Sequence, residues 1–288
     1  MPNEGRFEEI AIGICKNHSL VKPSFIARGN FKETYLTNIN SHIPIALKVF
    51  DPNKCNLCRA EREIAAMQQC ESPFIAKLYN WGTYTHSDKS SFLFVMEEFL
   101  SGGNLSDRLS STRLTVAQVC DYGIALINAV CHLRDKSLVH RDIKPENIMF
   151  QLNQDIPILV DFGLVRNLGE VSLTPTFVNQ GPCTPFFASP EQLNNDKHLI
   201  DWRADQFSVG VVLCICLTGN HPYLQQGQTP IDTVERVINH ASYSREFSAQ
   251  IRESGFVFLA KMVSPWPIDR YSHPELILKE LENLKRRL

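Results

Sequence analysis

The sequence predicts an α+β chain in two parts, a strand-rich first portion followed by a helical remainder. Three observations predict it. Between about residues 24 and 99, segments rich in β-branched and aromatic residues alternate with Gly, Asn and Ser. The stretch Ser101-Gly102-Gly103 then interrupts the pattern. Beyond it, apolar residues recur at helical spacing or run continuously.

The elements follow in order. Residues 25–38 (FIARGNFKETYLTN) and 43–50 (IPIALKVF) read as strands. Residues 58–69 carry apolar side chains at helical spacing, and Ser72-Pro73 stops that helix. Residues 74–84 and 91–99 read as two more strands, joined by the polar THSDKS. Residues 115–136 form a long amphipathic helix. Residues 206–219 are apolar almost all round, which predicts a buried helix holding Cys214 and Cys216. Residues 275–288 make an amphipathic last helix whose basic end suits the helix dipole.

Composition bounds the function. Of 288 residues, 43% are hydrophobic and 21% charged, which excludes a disordered or collagen-like chain. Lys plus Arg is 29 and Asp plus Glu is 31, a net charge of −2, so no basic excess points to nucleic acid. The apolar stretch near 207–217 is too short to span a membrane, so no membrane partner is expected. The start lacks a basic region followed by an apolar core, and nine cysteines are irregularly spaced. Both predict reduced thiols and a cytoplasmic location. Cys55-x-x-Cys58 has zinc-ligand spacing but no second pair follows it.

Two segments carry chemistry: VHRDIKPENIMF at 139–150 and ILVDFGLV at 158–165. Asp142 and Asn147 lie on one predicted loop, and Asp161 follows an apolar strand. Two carboxylates and an amide supply hard oxygen ligands for Mg²⁺, with one carboxylate left to orient a hydroxyl. Lys144 adds a positive charge near the group in transfer. HRDxKxxN followed by DFG resembles the eukaryotic-type (Hanks-type) serine/threonine protein kinases.

That resemblance runs over nearly the whole chain and implies a two-lobed protein kinase fold. Residues 1–24 become an N-terminal extension and 25–288 the kinase domain, with a β-rich N-lobe at about 25–99 and a helical C-lobe at about 100–288. The implied activity is transfer of the ATP γ-phosphoryl to Ser or Thr hydroxyls of protein substrates, the chain itself included. Asp142 and Lys144 are the implied catalytic residues. Asn147 and Asp161 are the implied metal ligands, for Mg²⁺ or alternatively Mn²⁺. Lys48 in IALK would hold the α- and β-phosphates, paired with Glu63 or, as runner-up, Glu61. Ile26, Thr34, Ala46 and Met149 would enclose the base, and Glu98 and Leu100 would present their backbones to it. Glu97 or, one residue earlier, Met96 takes the gatekeeper position; a glutamate there would narrow the back pocket. Glu191 should pair with Arg270, and Asp205 should open the buried helix and hold the catalytic loop.

The chain also departs from the family pattern. Of the glycine-rich loop only Gly29 remains, with Ala27, Lys32 and Thr34 at the other positions. Ala27 and Lys32 restrict the backbone there, while Lys32 could lend a charge to phosphate. The sequence SPEQ at 189–192 and Gln206 lean toward a bacterial or phage branch. Arg141 implies phosphate capture on the following segment, where Ser172, Thr174 and Thr176 are candidate autophosphorylation sites. Two other readings stay open. The weakened loop suits a pseudokinase that only binds nucleotide, and a small-molecule phosphotransferase shares the same core chemistry.

Overall fold

The computed structural model describes residues 5–288 apart from 30–31, 41, 55–63, 65–67, 69, 162–165 and 168–184. The chain divides into two compact units. The first holds residues 1–71 and 76–101, the second 72–75 and 102–288.

The first unit is built on a five-stranded antiparallel sheet. Its strands are β1 (Ser24–Arg28), β2 (Lys32–Ile39), β3 (Ile43–Phe50), β4 (Leu78–Thr85) and β5 (Ser91–Glu98), in the order β1-β2-β3-β5-β4. Strand alternation sends successive side chains to opposite faces, so the sheet buries two different sets. One face carries Tyr35, Ile45, Leu47, Val49, Phe94 and Met96. The other carries Leu93 and Val95, packed with Ile64, Phe50, Leu78 and Trp81.

A helix absent from the sequence expectation covers the first of these faces. Helix α1 (Glu8–Asn17) lies within the N-terminal stretch and buries Ile10, Ala11, Ile14 and Cys15 against the sheet. Its sequence signals are the acidic first turn, Glu8 and Glu9, the basic Lys16 in the last turn, and apolar residues at helical spacing. Glu33 on β2 anchors its start. The Glu33 carboxylate accepts the N–H groups of Arg6 at 3.1 Å and Phe7 at 3.0 Å, the Tyr35 hydroxyl at 2.6 Å and Arg28 Nε at 2.6 Å. The buried carboxylate thus satisfies helix-start donors that have no intrahelical acceptor.

The second unit is helical. It contains α2 (Leu105–Ser111), α3 (Val116–Asp135), α4 (Pro190–Leu193), α5 (Trp202–Thr218), α6 (Pro230–Ile238), α7 (Arg245–Glu253), α8 (Phe258–Met262) and α9 (Pro274–Lys285). Short ladders pair β6 (Leu138–Val139) with β9 (Arg166–Asn167) and β7 (Ile148–Met149) with β8 (Ile158–Leu159). Helix α3 starts with a capping box between Thr115 and Gln118. By length and composition it could cross a membrane, which corrects the expectation that no stretch of the sequence is long and apolar enough to do so. Yet 56% of its apolar window is buried inside the protein, and it packs on α5 and α9 as a core helix. Helix α5 is buried along most of its length, Cys214 and Cys216 included, and ends at Gly219 with φ +77°.

Glu33→Ala should strip the α1 anchor and leave the Tyr35 hydroxyl and two N–H groups without their acceptor, at a cost of about 2–4 kcal/mol. Denaturant titration measures the loss, and trypsin should cut after Lys16 sooner in the variant. Burial pushes the Glu33 carboxyl up, but the hydrogen bonds from Tyr35, Phe7, Arg28 and Arg6 outweigh it and hold the group below its ordinary value. The stabilisation is therefore complete above the unfolded-state value of about 4.3 and is lost as pH falls through the lower folded-state value.

Candidate active site

The carboxylate of Asp205, in the first turn of α5, is fully buried. It accepts His140 N–H and Arg141 N–H, each at 2.8 Å. The role read from the sequence for Asp205 is thus visible directly. Burial drives its pKa up to about 7, while the two backbone N–H groups pull in the opposite direction. Arg141 takes φ +70°, a strained value for a residue with a side chain, and these bonds help to hold it.

From that anchor the loop turns Asp142 toward Lys144 and Asn147. Lys144 Nζ lies 2.9 Å from Asp142 Oδ2 and donates to Oδ1 at 3.1 Å. Asn147 Nδ2 donates to the Asp142 carbonyl at 2.8 Å and to its Oδ2 at 2.9 Å. The His140 ring is buried, with Nε2 at 3.2 Å from Val160 O and Nδ1 accepting the Asp142 N–H at 3.3 Å. Asp161 follows β8 with φ +65°. Burial pushes the Asp142 carboxyl up and the negative Asp161 adds to this, while Lys144 and Asn147 work against them; the net shift is upward.

The donor set fits a divalent cation. Both Asn147 amide contacts run from Nδ2 to Asp142, so the amide oxygen is the group left to ligate. Asp142 is bonded to the same amide, Asp161 lies close enough to repel the Asp142 carboxylate, and a cation would relieve that repulsion.

Behind the loop, Glu191 and Arg270 form a bidentate pair at 2.6 and 2.8 Å with both side chains buried, as the sequence predicts. Gln192 Nε2 donates to Arg141 O at 3.0 Å, which ties the SPEQ segment to the catalytic loop. Gln206, oriented with Oε1 toward the Tyr271 N–H and Nε2 toward its C=O, meets both groups at 3.1 and 3.2 Å.

In the first unit, Lys48 on β3 is buried and its Nζ donates to Glu97 Oε2 at 2.5 Å. Sequence reasoning missed this pairing, having assigned Lys48 to Glu63 or Glu61, both of which lie outside the described residues. The register explains it. Ala46 faces Glu97 and Lys48 faces Val95, so Lys48 and Glu97 are diagonal neighbours on one face. Met96 points into the opposite core under α1, which puts Glu97 and not Met96 on the Ala46–Lys48 face.

Thr34 pairs with Lys48 across β2 and β3, and Ala27 with Thr34 across β1 and β2. Ile26 sits at an irregularity of β1 and is half exposed. Gly29 N–H donates to Lys32 O at 2.8 Å, closing the hairpin, and Lys32 Nζ stands 5.7 Å from the Phe50 ring centroid. The Glu98 N–H is engaged by Lys77 O at 2.8 Å, and Leu100 is buried. In the second unit Met149 lies on β7, and Gly102 N–H donates to Phe150 O at 2.8 Å. Ser172, Thr174, Thr176 and the Cys55-x-x-Cys58 pair fall outside the described residues.

The protein kinase domain family model matches residues 21–281. The chain belongs to the protein kinase family. Among kinases of known sequence it is 28% identical to rice (Oryza sativa subsp. japonica) CBL-interacting protein kinase 26 over 258 residues, covering 87% of this chain and 49% of that one. It is 29% identical to Arabidopsis thaliana CBL-interacting serine/threonine-protein kinase 10, over 85% of this chain and 50% of that one. It is 32% identical to the Arabidopsis serine/threonine-protein kinase AtPK2/AtPK19, over 62% and 35%. The kinase chain described here thus spans about half the length, or less, of these curated relatives. They are plant proteins and lend no support to a bacterial or phage branch.

Asp205→Asn turns an acceptor into a donor against His140 or Arg141 and should cost about 1–3 kcal/mol for the N–H left unpaired. Thermal melting measures that loss, and phosphoryl transfer should fall by more than the folded fraction alone explains.

Proposed function

We propose that the chain transfers the γ-phosphoryl group of ATP to Ser or Thr hydroxyls of protein substrates. The observation that carries this is the Asp142–Lys144–Asn147 cluster, held by the buried Asp205 carboxylate. Asp142 accepts a hydrogen bond from the substrate hydroxyl, orients it and takes its proton late in the transfer. Lys144 lies within reach of the same carboxylate and offsets negative charge that builds on the group in transfer. Lys48 holds the α- and β-phosphates. In the first unit Ile26, Ala27, Gly29, Thr34, Ala46, Glu98 and Leu100 are the remaining nucleotide-contact residues, with Glu63, which lies outside the described residues, as the expected partner of Lys48; in the second unit Met149 is another, and 25–99 and 100–288 are the proposed lobes. Asn147 and Asp161 would hold Mg²⁺, or Mn²⁺ in its place, and a bound ion supplies charge neutralisation at the phosphates. Most of the acceleration then comes from positioning and fixed electrostatics. The serine/threonine kinases among the relatives favour this reading over a nucleotide-binding scaffold.

Incubation with labelled ATP and a divalent cation tests the assignment. Label should appear on protein, and Asp142→Asn, Lys48→Ala and Asp161→Asn should each abolish it; the fold should persist in the two Asp variants, while Lys48→Ala also loses stability because it removes the partner of the buried Glu97 carboxylate. Wild-type turnover in Asp142→Asn would overturn the proposal.

The pH dependence follows from the upward shift of Asp142. The proton-accepting form is the carboxylate, so transfer should fall with decreasing pH at a higher pH than an ordinary aspartate near about 3.9 would give. A pH profile of kcat/KM checks this, and an acid limb at or below the ordinary value would contradict it.

We further propose that Thr174 or Thr176 is autophosphorylated, with Ser172 as the third candidate, and that the phosphate raises activity by pairing with arginine. Mass spectrometry of wild-type and Asp142→Asn protein should find phosphate in residues 172–176 of the active form alone.

A further inference from the structure

The Lys48–Glu97 pair lies where a charge needs a reason to be. Glu97 is 6% exposed and Lys48 8%. In the strand register Val95 stands opposite Lys48, while Ala46 and Leu78 stand opposite Glu97 on either side. Leu93, Val95, Ile64, Leu78 and Trp81 pack together on this side of the sheet. A carboxylate in such surroundings is costly unless it is paired, and an ammonium equally so. The 2.5 Å contact satisfies both.

We propose that Glu97 is a positioning residue for nucleotide use: it fixes the Lys48 ammonium on the β3–β5 face, so that ATP meets this lysine already oriented. The inference rests on the reading of Lys48 as the phosphate-holding lysine. Both residues belong to adjacent strands of one sheet, so the pairing is set by strand register. An ammonium has three donors, and the bond to Glu97 engages one of them. Glu97 orients Lys48 through that donor.

Kinetics of Glu97→Gln, Glu97→Asp and Lys48→Met, with ATP and protein substrate varied separately, tests the idea. Glu97→Gln keeps the shape and removes the charge. KM for ATP should rise about tenfold, the size of effect that one charge-assisted hydrogen bond carries, with KM for the protein substrate unchanged. Glu97→Asp keeps the charge and should recover part of the loss, which a purely structural role would not produce. Unchanged ATP kinetics in Glu97→Gln would overturn the proposal. So would a lower KM for ATP, since it would mean that the carboxylate competes with phosphate. If Lys48→Met abolishes transfer while Glu97→Gln behaves as wild type, only the role of Glu97 fails. If Lys48→Met retains full transfer, the site reading fails and takes this role with it. Should Glu97→Gln not fold, melting of Glu97→Met and of the Lys48→Met/Glu97→Met double variant decides. Recovery of the melting temperature in the double variant supports the pair, and an unrelieved loss overturns it.

Discussion

The buried Asp205 carboxylate accepts the N–H groups of two consecutive residues, and the catalytic loop hangs from those two bonds. Consecutive N–H groups can point at one carboxylate only when the backbone turns sharply, and Arg141 at φ +70° makes that turn. The next residue is Asp142, so the strain stands one peptide bond from the proposed proton acceptor. Asp205 can do this because α5 is a core helix, packed on α3 and buried almost throughout. The rigidity of the apolar core is thereby transmitted to a polar loop.

Other buried polar groups extend the same frame. Arg270 meets Glu191 bidentately and also donates to the carbonyls of Arg203, Ser264 and Pro265. A guanidinium has five donors in a fixed fork, and here the fork is filled from segments far apart in the chain. Gln192, next to Glu191, then reaches the Arg141 carbonyl. Truncating one member of such a network leaves several partners unsatisfied at once, which makes it expensive to disturb.

The first unit solves a different problem. Its sheet must bury both faces, and it does so with unlike partners. One face is closed by α1, which the Glu33 carboxylate pins at its start. The other combines an apolar cluster with the Lys48–Glu97 ion pair. The period of two along β5 separates the roles: Met96 goes to the first face and Glu97 to the second. A carboxylate at Glu97 is thus compatible with the fold because Lys48 lies within its reach.

Local patterns in the sequence determined the strand-rich and helix-rich parts, the buried helix α5, and the residues that form the Asp142–Lys144–Asn147 cluster. Those features depend on residues near one another in the chain, where spacing carries over into geometry. The pairs Glu191–Arg270 and Asp205 with the catalytic loop join distant residues, and they were legible only through a family resemblance. Helix α1 had a local signal in its acidic start and apolar spacing, but what it covers depends on the sheet. Only the tertiary structure decided that Lys48 meets Glu97 and that Glu33 anchors α1. Both depend on cross-strand register or on packing between elements, and a shift of one residue would send Glu97 to the opposite face. Such long-range choices are set by which faces bury together, which no short window of sequence contains.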